Sequence, residues 1–301
     1  MNASVEVTHS IGLVERETGI SKDTLRIWER RYGFPQPHRD TNGERVYPQS
    51  QVARLRLIKR LVDLRYRPGK IVARELVELE ALLATAAPDT GPRPEFSAVV
   101  GMLRAHDFEG VQQRLAQSLM RQGLEQFVME TIAPLNVAIG EAWANGELAI
   151  HEEHLYTQQI ENSLRHAIFV ASRRGGTPRV LLTSMPGEQH RIGLLMAEAL
   201  LATAGATCIP LGAQTPSSDI TLAAVAHRVD IVALSFSASF PLSLAQKSLL
   251  TLRSTLPAPI GLWAGGQGLQ RSHDVFGITI LRDFDELQRV LSAWRAVRNG
   301  A

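Results

Sequence analysis

The sequence predicts a multidomain α and α/β chain: a winged helix-turn-helix head, a four-helix bundle and a flavodoxin-like parallel-sheet domain. Three observations predict it. Two short capped helices around a glycine turn open the chain, followed by a hairpin signal and a basic helix. Residues 95–173, whose one proline is Pro134, then show helical spacing behind a Pro/Gly/Ala-rich stretch. After residue 177, apolar runs of strand length alternate with helical ones, which is the pattern of a parallel sheet with right-handed crossovers. The expected limits are 1–80 for the head, 81–94 for a linker, 95–175 for the bundle and 176–301 for the α/β domain.

Composition narrows the class. The chain has 301 residues, 45% hydrophobic and 21% charged, as in a globular protein of two or three domains. No apolar run approaches the ~20 residues of a membrane helix, and no basic-then-apolar signal opens the chain. The one cysteine, Cys208, excludes a disulfide framework. A cytoplasmic protein with no membrane partner is expected. Charge is uneven. Of 32 Lys+Arg and 30 Asp+Glu, residues 1–74 hold 15 and 8, which leaves 17 and 22 for the rest. A basic first quarter on an acidic body points to nucleic acid at one end.

Ser10 caps a helix over residues 11–18, and Gly19 suits the positive φ of a tight turn. Ser21 caps a second helix over 22–31, with Leu25 and Trp28 inward and Lys22, Asp23, Arg26 and Arg30 outward. The N-terminal residues of such a helix meet base edges in the major groove. Pro35 and Pro37 forbid helix beyond it, and Asn42-Gly43 is a strong hairpin signal. The resulting wing carries Arg39, Arg45 and Tyr47. Val52, Leu55, Ile58 and Leu61 then mark a helix over about 50–64.

This segment resembles the MerR family of winged helix-turn-helix regulators, on Thr24 to Arg30, Arg39 to Gly43, Arg45 to Tyr47 and Val52 to Leu55. The run from Trp28 to Pro35 is similar to the subgroup that couples this head to a cobalamin module. The resemblance implies binding of a double-stranded DNA operator through Lys22, Thr24, Arg26, Arg30, Arg39, Arg45 and Tyr47. No coiled-coil heptad follows, so self-association has to come from elsewhere in the chain.

The middle predicts helices over about 95–105, 108–122, 123–145 and 151–173, joined by short connections. Trp143, nine intervening residues, then Glu153-His154 resembles the bundle motif of cobalamin-binding regulators of the CarH/LitR type. The resemblance implies that Trp143 covers the upper face of the corrin, with Glu153 and His154 beside it. In light-sensing members a histidine follows the tryptophan. Here that residue is Ala144, which cannot coordinate cobalt.

In the last domain, strands are expected at 180–183, 207–211, 231–235, 260–263 and 278–281, and helices at 192–204, 217–228, 242–256, 268–274 and 285–298. Ligands of such sheets bind at the carboxyl ends of the strands. Three loops there carry Glu188, His190 and Gly193; Ser235 and Ser237; and Gly265 and Gly266. Together they resemble the Asp-x-His-x-x-Gly, Ser-x-Leu and Gly-Gly motifs of base-off/His-on cobalamin domains. Glu188 replaces the usual Asp, and Ser237 the usual Leu. The resemblance implies that His190 is the lower axial cobalt ligand, that Ser235 bonds the displaced nucleotide tail, and that Gly265 and Gly266 admit the tail for want of a Cβ.

The expected function is therefore a cobalamin-dependent transcriptional regulator, a repressor and not an enzyme. It would bind adenosylcobalamin, with methylcobalamin as the other form, and form a cofactor-dependent homo-oligomer, a dimer or tetramer, with light acting through the Co–C bond. The alternatives are a light-independent or cofactor-free regulator of the same build, controlled by a protein partner, and a cobalamin-dependent enzyme module.

Overall fold

The structure is a computed structural model that describes residues 8–63, 66–86, 93–172 and 175–299. By its contacts the chain forms two compact units. One comprises residues 1–107 and 137–153, the other 108–136 and 154–301.

In the first unit a short strand β1 (Thr8–Ser10), which the sequence did not announce, leads into α1 (Ile11–Thr18) and α2 (Lys22–Tyr32). Ser10 and Ser21 cap these helices as expected, accepting from the backbone N–H of Leu13 and Thr24. Gly19 and Gly33 end them at φ 67° and 71°. The wing strands β2 (His38–Arg39) and β3 (Arg45–Pro48) follow, and β1 pairs antiparallel with β3 to give the order β1-β3-β2. Three residues of strand are too few for a periodicity signal. Then come α3 (Gln49–Asp63), α4 (Pro68–Ile71) and α5 (Leu76–Ala86). Val52, Leu55, Ile58 and Leu61 are wholly buried on α3, and Leu25, Trp28, Tyr47 and Leu79 complete the core with them. Helix α5 takes up the start of the stretch expected to be linker, and residues 87–92 lie outside the described residues.

The middle of the chain is helical: α6 (Pro94–Arg104), α7 (Phe108–Gln126), a π-helical turn over Phe127–Ile132, α8 (Ala133–Ala144) and α9 (Ile150–Ala171). The break expected between 122 and 123 is a kink at Gly123 (φ 73°, ψ 168°) inside α7, not a separate connection.

In the second unit five parallel strands, β4 (Arg179–Thr183), β5 (Thr207–Gly212), β6 (Ile231–Ser235), β7 (Gly261–Gly265) and β8 (Thr279–Leu281), run in the order β5-β4-β6-β7-β8. Helices α10 (Ile192–Thr203), α11 (Ser217–Ala226), α12 (Leu242–Thr255) and α13 (Phe284–Asn299) cross between or follow them. This is the flavodoxin-like order, and its switch point lies between β4 and β6. Strands buried on both sides explain the near-continuous apolar runs, such as Val180 to Leu182 and Ile231 to Leu234. The helix expected over 268–274 is corrected to one 3-10 turn, Gln267–Leu269. This turn packs tightly on the loop after β6, with the Gly268 Cβ position 2.4 Å from the Ser237 carbonyl oxygen.

Gly266 sits at φ 104°, and a Cβ there would lie 2.3 Å from the Phe236 carbonyl oxygen. Gly266→Ala therefore combines an unfavourable φ with a backbone overlap. The expected cost is at least about 2 kcal/mol, measured as a lower urea midpoint of the full chain. Unchanged stability would show that the loop after β7 relaxes freely.

Candidate functional site

Polar side chains are closely interlinked in the loop between β4 and α10. The Ser184 hydroxyl donates to the Glu188 carbonyl and accepts from the Gln214 N–H (2.8 and 3.0 Å). The Thr183 hydroxyl reaches the Gly212 carbonyl and the Thr215 hydroxyl (2.9 and 2.7 Å). The end of β5 thus braces the loop of β4. Gly193 opens α10 with its Cβ position 2.8 Å from the Ser235 hydroxyl, so glycine lets the helix approach β6.

Within this frame the Glu188 carboxylate is buried (1% exposed), and His190 reaches outward (63% exposed). Glu188 Oε1 accepts the His190 ring Nδ1–H at 2.8 Å and the His190 backbone N–H at 2.9 Å. Oε2 accepts the Ser237 N–H at 2.7 Å and the Ser237 hydroxyl at 2.8 Å. Burial alone would raise the Glu188 pKa, but these four bonds, that of the His190 ring foremost, outweigh it and hold the carboxyl below its usual range. An ionised acceptor at Nδ1 fixes the proton there and leaves the Nε2 lone pair as the ligating position. A buried carboxylate behind an imidazole is the support that metal-ligating histidines use. The donor set fits a His-ligated cobalt centre.

Ser237 was expected to touch cofactor in place of a leucine. In the structure its hydroxyl and N–H are both directed to Glu188. Gly265 and Gly266 were expected to make room for a nucleotide tail. Their Cβ positions face the Leu281 and Phe236 carbonyl oxygens (3.0 and 2.3 Å), so protein packing alone requires glycine at 266 and leaves a side chain at 265 little room. Ser235 ends β6, half-buried beside Gly193.

In the other unit, the half-buried Trp143 ends α8 with the Arg56 guanidinium 4.1 Å from its ring centroid. Arg56 is buried and pairs with Glu17 at 3.0 Å. Burial lowers its pKa, while Glu17 pulls it back up. One turn further along α3, Arg60 donates to Glu141 and Asn145 (2.9 and 3.0 Å). The helical period that marks α3 in the sequence gives no sign that Arg56 and Arg60 engage Glu141, Trp143 and Asn145, because no periodicity links residues so far apart. Glu153 is half-buried and His154 exposed on α9.

On the head, Lys22, Arg26, Arg30 and Arg39 are exposed, and Thr24 is half-buried, its hydroxyl 2.8 Å from that of Ser21. Arg39 spans its own hairpin to the Gly43 carbonyl (2.6 Å), and the half-buried Arg45 pairs with Glu29 at 3.0 Å. Tyr47 is a correction. It is wholly buried, with its hydroxyl pKa raised by burial and then by Glu29, and it serves the core of the head instead of reaching DNA.

Head and rear together define a DNA-binding regulator that carries a cobalamin module. Residues 9–73 match the MerR HTH family regulatory protein family, and residues 98–168 match the B12 binding domain family. The chain is 32% identical over 278 residues to the HTH-type transcriptional repressor CarH of Myxococcus xanthus, covering 89% of this chain and 91% of that one. It is 30% identical over 296 residues to the repressor CarA of the same organism, covering 97% and 98%. The chain belongs to the CarH/CarA family of HTH-type transcriptional repressors. It is a cobalamin-binding transcriptional regulator and not an enzyme. The fold of the rear also matches the monomethylamine corrinoid protein of Methanosarcina barkeri (TM-score 0.52, 13% identity, 65% of this chain and 96% of that one). Among the described residues no helix is long and apolar enough to cross a membrane.

Glu188→Gln removes the charge and sets an amide NH2 against one of the donors. The expected destabilisation near pH 7 is about 1.5–3 kcal/mol, the range for hydrogen bonds to charged groups. The native carboxyl titrates below its unfolded value, so this contribution is complete above the unfolded pKa and is lost as pH falls through the native one. Urea unfolding of both chains should show a gap at neutral pH that narrows below about pH 4, under the unfolded Glu pKa of ~4.3. A gap that widens in acid would contradict the assignment.

Proposed function

We propose that the protein represses transcription in response to adenosylcobalamin, with methylcobalamin as the other candidate form. His190 is the lower axial cobalt ligand, positioned by Glu188. Trp143, Glu153 and His154 cover the upper face, and Gly193, Ser235, Gly265 and Gly266 shape the lower pocket. Residues 1–80, 81–94, 95–175 and 176–301 act as head, linker, bundle and cofactor domain of a cytoplasmic, cofactor-dependent homo-oligomer. The single observation that carries this reading is the buried carboxylate with four donors that aims one imidazole from the sheet's switch point.

When bound, adenosylcobalamin supplies a light-labile cobalt–carbon bond. The chain's part is to hold the imidazole tautomer through Glu188, to exclude water with the Trp143 indole, and to pass a change at that indole to the head. The Arg56 stack and the Arg60 pairs to Glu141 and Asn145 support the last step, since both arginines lie on the core helix of the head. A cofactor that binds one arrangement of these groups better than another shifts the balance between them. Several heads in one oligomer then gain avidity on a repeated operator. Ala144 favours a second reading, sensing without light, because no imidazole follows the tryptophan to hold cobalt after loss of the upper group.

Incubation with adenosylcobalamin followed by desalting should leave a coloured protein, and illumination should alter its spectrum and oligomeric state. A colourless chain would overturn the cofactor reading. A coloured chain indifferent to light would select the second one. His190→Ala should lose the spectral features of histidine-ligated cobalt, and an unchanged spectrum would remove His190 as ligand. On DNA, Lys22→Ala and Arg26→Ala should each weaken binding. Removing a cation that neutralises one phosphate lowers the slope of log affinity against log salt by about 0.9. An unaltered slope would assign the phosphates to other side chains.

A further inference from the structure

We propose that His106, His151 and Glu152 form a binding site for a divalent transition-metal ion, zinc foremost, distinct from the cobalt position at His190. The three residues come from two places in the sequence. Helix α6 ends with the Ala105 N–H on Gly101, the His106 N–H on Leu103 and the Asp107 N–H on Met102. This closing turn puts His106 in the left-handed region at φ 57°. His151 and Glu152 lie in the first turn of α9. The candidate ligand atoms of all three lie within 4.8 Å of one another.

The chemistry of the set favours an ion over a plain salt bridge. Glu152 is nearly buried (9% exposed), and one of its oxygens accepts the Ala149 N–H at 2.6 Å, which fixes the carboxylate. The other oxygen lies 3.8 Å from the His106 Nδ1. Here a second imidazole stands beside the first, ring centroids 5.7 Å apart and tilted 33°. Two imidazolium ions at that separation would repel. Two neutral imidazoles and one carboxylate around a dication replace that repulsion with three ligand bonds and leave a net single positive charge, which a bound hydroxide or other anion in the open position can balance.

Two nitrogen ligands exclude calcium and magnesium, which take oxygen, and suit zinc, nickel or cobalt(II). With three protein ligands, zinc keeps a fourth position for water or an incoming group. Zn–N bonds of about 2.0–2.1 Å need the ligand atoms somewhat closer than they stand. His106 is 61% exposed, so its side chain has room to turn inward. The ion would tie the end of α6 to the first turn of α9, a few residues beyond the turn that carries Trp143. The site uses none of the residues assigned to cobalamin, so its fate is independent of that reading.

The test uses the untagged full-length chain, freed of metal by a chelator and of cobalamin, and titrated with zinc chloride by calorimetry. The expected result is one equivalent bound at micromolar concentration, with a rise in melting temperature. The His106→Ala/His151→Ala double variant should bind at least about 10-fold more weakly, since losing even a supporting partner costs that much at metal sites. His106→Gln alone should also weaken binding, read by the same calorimetric titration. His190→Ala should bind as the parent does. Binding only at millimolar zinc, binding unchanged in the double variant, or binding abolished in His190→Ala would each overturn the proposal.

Discussion

The rear of the molecule depends on one buried carboxylate. An ionised glutamate at 1% exposure is costly unless every lone pair is used. Glu188 meets that condition with four donors supplied by two loops. The consequence is geometric. Ser237 lies past the end of β6 and His190 past the end of β4, so satisfying the charge fixes these two loops against each other at the switch point of the sheet. The imidazole inherits its tautomer and direction from that constraint. Its own exposure matters less than the burial of what holds it, because the constraint acts through Glu188.

The two departures from the family's motifs acquire a joint explanation. A glutamate in place of aspartate carries its carboxylate one methylene further. A serine in place of leucine offers a hydroxyl, and that hydroxyl meets Glu188 Oε2 at 2.8 Å. Taken separately each substitution looks like a weakening. Together they form one hydrogen-bonded unit in which the serine answers a demand the longer side chain creates. A leucine there would leave Oε2 with the backbone N–H of residue 237 as its remaining partner.

Legibility in the sequence followed the range of the signal. Caps, turns and apolar periods are local, so Ser10, Ser21, Gly19, Asn42-Gly43 and the five parallel strands were predictable within a residue or two. So was His190 in its loop. Features made by distant partners were not. Strand β1 exists only because β3 accepts it. Tyr47 has the composition of a wing residue, yet its ring fills the head core. Gly265 and Gly266 suggest room for a ligand, whereas tertiary packing crowds both with carbonyl oxygens that no local pattern reveals. The same limit hid the His106 cluster, whose members are separated by 45 positions of chain and meet only at helix ends.

Arg56 joins these threads. It is a buried guanidinium between an acid of the first helix, Glu17, and an indole at the end of α8. Breaking either contact leaves the other to carry a charge that burial disfavours, so the two are coupled. A surface lysine pair would be worth too little to transmit anything. A buried arginine with one ionic and one aromatic partner makes the position of Trp143 a condition for the packing of α1 on α3. Because α1 and α2 form the helix-turn-helix, a change at the indole need travel no further than one side chain to reach the element that meets DNA. Neither contact involves Ala144, so the link from the indole through Arg56 to α1 does not depend on the residue that follows Trp143.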